Sequence, residues 1–259
     1  MNLNLTNKTA VVTGASRGIG LATVRTLIGE GVRVVGAART VTPELKETGA
    51  HAVAADLSTA DGVSALFDRA LAELGGIDLL VNNVGGGDGA TVNFLDVSDT
   101  EWTGAFDMNV LSAVRATRAA LPSLIERRGA IVNISSILAL MPGGFPPAIS
   151  AAKAALTAIG KALSEEFGPQ GVRLNTISPG LVNTSVYSDP DGQVAQWAAA
   201  SGMTLAEFRQ QMVKGQNVAT GRMAEPEEVA ALIAFLLSDV AGNITGANYV
   251  IDGGTIKTV

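Results

Sequence analysis

Short runs of β-branched and small apolar residues alternate with longer amphipathic runs along nearly the whole chain. Parallel strands need a crossover connection, usually a helix, so this alternation predicts a parallel sheet with helices on both faces. Helices are predicted at 18–29, 62–75, 99–127, from about 150 to 168, and at 225–237. The runs predicted to form strands are 9–14, 32–38, 52–56, 77–83, 129–136, 172–180 and 248–254. We therefore expect one doubly wound α/β domain over residues 1–259, built on a seven-stranded parallel sheet.

Composition limits the functions open to such a domain. The chain is 47% hydrophobic with a net charge of -6, which fits a large core and argues against nucleic acid or membrane lipid as a partner. It has no cysteine, and His51 is its only histidine, so we predict no metal site and no Ser–His triad. A signal sequence and an apolar run of membrane-spanning length are both missing, which favours a soluble, cytoplasmic protein.

The segment from 183 to 221 interrupts the alternation. It is long, contains the turn sequence SDPDG, and carries short amphipathic pieces, features typical of an active-site lid. Its larger apolar side chains either line a substrate pocket or hold the lid down, and the sequence leaves both open. If they line the pocket, the small-molecule substrate is apolar. These side chains are Trp197, Met203, Phe208 and Met212.

A glycine-rich turn, TGASRGIG at 13–20, lies where the first strand meets the first helix. Glycines there let the backbone approach a pyrophosphate, and the N-terminus of the helix favours an anion. This position inside a βαβ pattern predicts a dinucleotide site in a Rossmann-type domain. The residues predicted to form it are Gly14, Ser16, Arg17, Gly18, Ile19 and Gly20.

The second strand indicates which dinucleotide is bound. In NAD-binding proteins an acidic residue at its end holds the ribose 2′-hydroxyl. Here Ala38 stands at that place and Arg39 follows it, while Arg17 lies in the glycine turn. Two guanidinium groups without a carboxylate suit a 2′-phosphate, which arginine grips through charge-assisted hydrogen bonds. The predicted coenzyme is therefore NADP(H).

Taken in order, the motifs resemble those of the short-chain dehydrogenase/reductase family, in its classical subgroup, over essentially the whole chain. They include the glycine turn, NNVG at 82–85, NISS at 133–136, and SPG at 178–180. The resemblance implies a homotetramer in which the helices at 99–127 and around Lys153 pair across subunits. It also implies further coenzyme contacts from Asp56, Leu57, Asn83, Gly85, Lys153, Pro179, Gly180, Val182 and Thr184.

The same resemblance implies a catalytic group of Asn109, Ser136 and Lys153. In the family a tyrosine four residues before the lysine exchanges a proton with the substrate oxygen. Here Ile149 occupies that position, and counting from Ser136 leads to the same residue. Isoleucine has no exchangeable proton, and a positioned general acid contributes about 10²–10⁴-fold to a rate.

Several functional hypotheses remain open. The protein reduces carbonyls or oxidises alcohols with impaired or altered proton transfer, or with Tyr187 or water acting in place of the tyrosine. Alternatively, its substrate is a conjugated C=C bond, as in the dienoyl-CoA reductases of the family, which also lack this tyrosine. Two further alternatives are that the protein is an inactive NADP(H)-binding pseudoenzyme, or that it is an engineered Tyr→Ile variant of an ordinary carbonyl reductase. An NADP(H)-dependent oxidoreductase is the function we expect.

Overall fold

The computed structural model describes residues 2–87, 91–143 and 145–258. Within these ranges seven parallel strands form one sheet, in the order β3-β2-β1-β4-β5-β6-β7. The predicted Rossmann-type domain with a seven-stranded parallel sheet is thereby confirmed. The strands are β1 (Thr9–Thr13), β2 (Arg33–Ala38), β3 (His51–Ala54), β4 (Leu79–Asn82), β5 (Ala130–Ile134), β6 (Arg173–Pro179) and β7 (Asn248–Ile251).

Neighbouring residues along the central strands belong to opposite faces of the sheet. Val11 and Val12 are both fully buried, yet they contribute to two different apolar clusters, as do Ile131 and Val132. This follows from the two-residue period of a strand and explains why the strands read as continuous apolar runs.

Helices cover both faces of this sheet, with α1 packed against α10 and α3 packed against α5. Proline opens α6 and α10 in their first turns, where its missing N–H has no helical partner to lose. In the described residues the helices are α1 (Gly18–Gly29), α2 (Pro43–Glu47), α3 (Ala60–Leu74), α4 (Asp99–Phe106), α5 (Ser112–Arg127), α6 (Pro147–Phe167), α7 (Ser185–Ser188), α8 (Gln193–Ala200), α9 (Leu205–Gly215) and α10 (Pro226–Leu237).

Two helix predictions need correction. The helix at 99–127 is interrupted by a π-helical turn, Asp107–Leu111, between α4 and α5. The Asn109 side chain, which bonds the carbonyl oxygens of Ala105 and Gly86, lies in this turn. The helix that carries Lys153 begins at Pro147, so Ser150 lies inside its first turn and donates a hydrogen bond to the Pro146 carbonyl oxygen at 3.0 Å.

Candidate active site

The sheet reverses its order of connection between β1 and β4, since β1 pairs with β2 on one side and with β4 on the other. In a doubly wound sheet, ligands bind in the crevice at the carboxyl ends of the strands beside such a reversal. The segments after β1, β4, β5 and β6 all emerge at this edge. The predicted motifs at 13–20, 82–85, 133–136 and 178–180 are therefore brought together.

The glycine turn after β1 is tight enough to require glycine. Gly14 and Gly18 have φ angles of 65° and 54°, which favour glycine. A Cβ on Gly20 would stand 2.2 Å from the Gly14 carbonyl oxygen and 2.6 Å from Asn83 Nδ2. The helix that follows has no side-chain cap and no acidic residue in its first turn, so its backbone N–H groups are left for an anion.

Asn83 and Thr13 brace this turn from within. Asn83 Nδ2 donates to the carbonyl oxygens of Thr13 at 3.0 Å and Gly14 at 3.1 Å. The Thr13 hydroxyl oxygen accepts the backbone N–H groups of Asn83 at 2.9 Å and Val84 at 3.1 Å. Thr13 was not among the predicted site residues, although it directly precedes Gly14 in the motif.

The segment after β6 closes over the same turn. Thr184 Cγ2 lies 2.9 Å from the point where a Cβ on Gly18 would stand. The Gly180 N–H donates to the Ile251 carbonyl oxygen at 3.0 Å, and a Cβ there would meet Asp252 Cα at 2.9 Å. Pro179 ends β6, and Val182 forms a β-bridge with Ala224. Of the residues predicted at 179–184, Thr184 thus stands beside Gly18 of the glycine turn.

The predicted adenosine side of the crevice carries exposed charges. Arg39 is exposed at the end of β2, and Asp56 is exposed after β3. Hydrogen bonds from the Ser58 hydroxyl and N–H groups, with a smaller contribution from the Arg39 charge, lower the pKa of Asp56. Leu57 differs, because its side chain is buried in the core against α3. Ser16 Oγ donates to the Thr40 carbonyl oxygen at 2.5 Å and ties the turn to the loop after β2.

Asn109 and Lys153 converge beneath Gly85. Lys153 Nζ lies 2.6 Å, and Asn109 Oδ1 2.7 Å, from the point where a Cβ on Gly85 would stand. Asn109 is fully buried, accepts the Gly86 N–H at 3.0 Å, and donates to the Gly86 carbonyl oxygen at 3.0 Å. Gly85 is itself exposed, so a ligand can approach the polar pair where a larger residue would block it.

Lys153 is a buried cation that forms no ion pair with a carboxylate of the described residues. It lies in α6 with only 7% of its surface exposed, and Nζ donates to the Ile134 carbonyl oxygen at 2.9 Å. The Ser135 hydroxyl donates to the Lys153 carbonyl oxygen at 3.0 Å and fixes the helix against β5. Burial, which disfavours the charged form, lowers the pKa of Lys153 to about 8.

Ser136 lies at the end of β5 and is partly exposed. Its hydroxyl oxygen accepts the Leu138 N–H at 3.2 Å, which caps a short 3₁₀ turn, Ile137–Ala139. A serine hydroxyl that accepts in this way still carries its own proton, so it can donate a hydrogen bond to an oxygen of a ligand.

Ile149 stands one turn before Lys153 on α6 and is 8% exposed. It belongs to a small apolar cluster with Ala105 and Ala148, against which Trp102 and Leu138 pack. The position four residues before Lys153 is therefore occupied by packed hydrocarbon.

Both tyrosines of the chain lie in other parts of the structure. Tyr187 packs against the cluster formed by Leu181, Val213, Val218 and Met223 at the base of 183–221, and burial raises the pKa of its hydroxyl. Tyr249 is in β7, paired with Ile177.

Lys153→Met is expected to stabilise the ligand-free protein at pH 7 by up to roughly 3 kcal/mol, because one pKa unit corresponds to about 1.4 kcal/mol. Below pH about 8 both states carry the proton, and the native state bears the full cost of the buried ammonium. As the pH rises from about 8 to 10.5, the native state loses its proton first and this cost disappears.

Thermal and urea unfolding of wild type and Lys153→Met, from pH 7 to above 10, measures this effect. The difference in unfolding free energy between wild type and Lys153→Met should decrease as the pH rises from about 8 to 10.5. Lys161→Met on the exposed side of α6, where Lys161 pairs with Glu165 at 3.2 Å, is the matched control and should change stability little at any pH. A free-energy difference between wild type and Lys153→Met that stays constant with pH would contradict the inference that burial lowers the pKa of Lys153.

No cluster of three or more His, Asp or Glu side chains with the arrangement of a metal site is found in residues 2–87, 91–143 and 145–258. His51 begins β3 and lies 3.5 Å from Glu73, on an exposed edge. Over those same ranges no helix combines the length and apolar character needed to cross a membrane.

Comparison with known proteins agrees with this geometry. A protein-family profile described as enoyl-(acyl carrier protein) reductase matches residues 14–255. A 3β-hydroxysteroid dehydrogenase 1 from Eggerthella lenta is 32% identical, over 97% of this chain and 94% of the relative. The chain belongs to the short-chain dehydrogenase/reductase family.

Solved structures from this family have the same architecture. An L-sorbose reductase from Gluconobacter frateurii, complexed with NADPH and L-sorbose, superimposes with a TM-score of 0.93 at 33% identity, covering 100% of both chains. An NADPH-bound short-chain oxidoreductase from Pseudomonas aeruginosa PAO1, described as containing an atypical catalytic center, has a TM-score of 0.86 at 31% identity. That similarity covers 98% of this chain and 99% of the other.

The site of this short-chain dehydrogenase/reductase therefore has a backbone cradle at the glycine turn, and Asn109, Ser136 and Lys153 on the strand-end edge. The positive-φ glycines, the uncapped α1 N-terminus and the exposed Gly85 above Lys153 fit a nicotinamide dinucleotide. A ligand oxygen placed beside Ser136 would meet a hydroxyl donor. Sequence reasoning did not single out Thr13, which could have been found from its place in the motif.

Proposed function

We propose that the protein is an NADP(H)-dependent oxidoreductase that transfers hydride to or from a carbonyl, alcohol or conjugated substrate, with altered proton transfer. The observation that carries this proposal is the convergence of Lys153 Nζ and Asn109 Oδ1 beneath Gly85, beside the glycine turn. A pure scaffold has no need of a buried cation at this place, because such a charge destabilises the fold.

The coenzyme would be held by the backbone of Gly14, Gly18 and Gly20 and by the N-terminus of α1, which favours the pyrophosphate. Arg17 and Arg39 would contact the 2′-phosphate, and Ala38 leaves no carboxylate to repel it. The NADPH complexes of the L-sorbose reductase and the P. aeruginosa oxidoreductase support this choice. When bound, the nicotinamide supplies or accepts the hydride.

The residues of the chain orient the other reactant. The Ser136 hydroxyl donates a hydrogen bond to the substrate oxygen, and the Lys153 ammonium stabilises negative charge that develops there. Asn109 holds the backbone of Gly86, and thereby the wall of the cleft, through two hydrogen bonds. Ile149 excludes water from the place of the family tyrosine and contributes no proton, so the proton step differs from that of the family.

We propose that residues 183–221 act as the lid and that the small-molecule substrate is apolar. Met212 and Tyr187 pack the base of this segment, while Trp197 on α8 is 47% exposed and Val186 on α7 is 42% exposed. Leu140, which follows the Ser136 turn, is 49% exposed. These three exposed side chains are available to meet an apolar ligand when the segment closes.

The proposed cytoplasmic homotetramer would use the small exposed residues of α6. Ala154, Ala158 and Ala162 recur at helical spacing on its exposed side, and small side chains let helices approach closely. Sedimentation equilibrium would give a mass of four chains if this assembly is correct.

The function is tested by mixing the protein and NADPH with cyclohexanone, cyclohexenone or crotonyl-coenzyme A and following nicotinamide absorbance. Oxidation of NADPH with any of the three is the expected result. Activity with the last two compounds alone would select the conjugated substrate. Binding of NADPH by calorimetry without turnover would instead favour the pseudoenzyme, which the apolar packing around Ile149 supports as the second candidate.

Arg39→Asp is expected to weaken NADPH binding about 10–100-fold while leaving NADH binding nearly unchanged, since charge-assisted hydrogen bonds contribute about 1.5–3 kcal/mol. The introduced carboxylate would also repel the 2′-phosphate and could accept a hydrogen bond from the 2′-hydroxyl of NADH. Calorimetric dissociation constants for both coenzymes provide the measurement. Arg69→Asp makes the same charge change on α3, and equal weakening of NADPH and NADH by Arg39→Asp would refute the assignment.

A further inference from the structure

We propose that Lys153 itself delivers the proton to the substrate oxygen during reduction. The inference rests on the proposed oxidoreductase function and deepens it by assigning the acid. Lys153 would then have a task that in the family motif belongs to the residue at position 149.

The Lys153 ammonium group has more N–H donors than it uses in hydrogen bonds with the described residues. Across the ranges that the structure describes, Nζ makes one hydrogen bond, to the Ile134 carbonyl oxygen at 2.9 Å. An ammonium has three N–H groups, so two remain for a substrate oxygen or a bridging water. They lie beneath the exposed Gly85, where the Asn109 carboxamide also converges.

No other acid in the described ranges is placed for the task. Tyr187 packs at the base of 183–221, Tyr249 lies in β7, and Ile149 brings hydrocarbon to the turn before Lys153. Neither the Ser136 hydroxyl nor the Asn109 amide is acidic enough to release a proton near neutral pH. Among the described side chains at this edge, the lysine is therefore the one that can donate a proton and remain as a neutral amine.

The described charged groups on and around α6 have other partners or are exposed to solvent. Glu101 on α4 binds Thr91 and Ser98, Asp107 in the π-helical turn lies 3.4 Å from Arg115, and Lys161 pairs with Glu165. Arg173 on β6 donates to carbonyl oxygens after α10. Burial is the cause that lowers the pKa of Lys153 to about 8, near the value that suits an acid at neutral pH. The remaining charged groups on elements packed against α6 are Asp99 on α4 and Glu166 on α6 itself.

The proton step is balanced. As carbon gains a hydride equivalent from the reduced nicotinamide, an Nζ–H bond of Lys153 breaks and an O–H bond forms on the substrate. The electron pair of the broken bond stays on Nζ, which leaves a neutral amine. Water then returns a proton to Nζ, and the oxidised coenzyme leaves with no other change in the protein.

Three variants and a direct titration test the inference. Wild type, Lys153→Arg, Lys153→Met and the control Lys161→Met are compared for kcat at saturating NADPH from pH 6 to 10, with cyclohexanone, cyclohexenone and crotonyl-coenzyme A. Affinity for NADPH is measured separately by calorimetry. In ligand-free protein labelled with ¹³C-lysine, NMR follows the Cε resonance of Lys153, assigned from its absence in Lys153→Met.

We expect wild-type kcat to be constant below pH about 8 and to fall about tenfold per pH unit above it. Lys153→Arg keeps a charge that does not dissociate near neutral pH, so it should retain much of the NADPH affinity yet lose about 10²-fold or more in kcat. Lys153→Met should lose both NADPH affinity and kcat, and Lys161→Met should lose neither. The Lys153 resonance should titrate near pH 8.

Three results would overturn the proposal. A Lys153→Arg enzyme with the wild-type kcat would show that charge alone suffices, and a Lys153→Met enzyme impaired only in NADPH affinity would restrict the lysine to coenzyme binding. A Lys153 side chain that titrates near its ordinary pKa of 10.5 would also overturn the proposal. In each case an active wild type leaves the proposed function standing, whereas no turnover by wild type with any of the three compounds contradicts both.

Discussion

Ile149→Tyr is expected to raise kcat for ketone reduction by about 10²-fold or more, since a positioned general acid contributes about 10²–10⁴-fold. Position 149 lies four residues before Lys153 on α6, and side chains four apart on a helix share a face. A phenol there would be adjacent to the ammonium, which stabilises its deprotonated form. Reduction of cyclohexanone at saturating NADPH is the measurement, and a gain of 10² corresponds to about 2.7 kcal/mol of barrier.

Ile149→Phe is the matched control, because it introduces the same ring without the hydroxyl. It should give no gain in kcat, so an equal gain in both variants would show that shape rather than proton donation is responsible. The larger ring must displace Trp102 or Leu138, which are only partly buried. Overpacking of this kind costs about 1–3 kcal/mol, which a lowered melting temperature of both variants would reveal. If tyrosine gives no gain, the pocket around position 149 has itself diverged from carbonyl reduction.

The Ile149→Tyr result also bears on how this site arose. If the tyrosine variant becomes an efficient ketone reductase, the protein has the remaining machinery of such an enzyme and lacks only the acid. That outcome would suit both a weakened natural enzyme and an engineered replacement of tyrosine by isoleucine. A variant active on cyclohexenone alone would indicate a site adapted to conjugate reduction.

Gly20→Ala is expected to abolish measurable NADPH binding, with a loss of affinity of at least about 10²-fold. The added Cβ would stand 2.2 Å from the Gly14 carbonyl oxygen and 2.6 Å from Asn83 Nδ2, distances at which backbone must move. The cradle would then lose the close approach that a pyrophosphate requires. Calorimetric titration with NADPH tests this, together with a melting temperature to monitor the fold.

Gly29→Ala provides the control in the same helix. A Cβ there would meet nothing within 4 Å, and alanine is the better helix former by up to about 1 kcal/mol. This variant should bind NADPH as wild type does and be equally or more stable. Wild-type affinity in Gly20→Ala would show that the coenzyme does not use the glycine turn.

Local signals explain why the coenzyme half of the site could be predicted from the sequence. The first helix was predicted at 18–29 and is observed at Gly18–Gly29, because the glycine turn fixes its start through backbone geometry. Strand positions were also accurate to within a few residues, since buried parallel strands read as continuous apolar runs. That Ile149 and Lys153 lie four residues apart could also be seen in the sequence, and the structure places both in α6.

Long-range contacts decided the rest of the site. Asn109 lies in the π-helical turn, and its side chain forms hydrogen bonds with the backbone of Gly86, 23 residues away. Local sequence patterns therefore did not predict this turn. The packing of Tyr187 at the base of 183–221 was open until the fold placed it beside Val213 and Met223. The same holds for Ile149, whose partner Trp102 comes from another helix.

The sequence by itself determined that this chain forms a parallel α/β domain with a glycine turn, and that Ile149 stands four residues before Lys153, because periodicity and spacing are properties of neighbouring residues. Only the tertiary structure decided that this lysine is buried, bonded to the carbonyl of Ile134 and aimed beneath Gly85. Its lowered pKa follows from loss of water, and how much water a side chain loses depends on everything that packs around it.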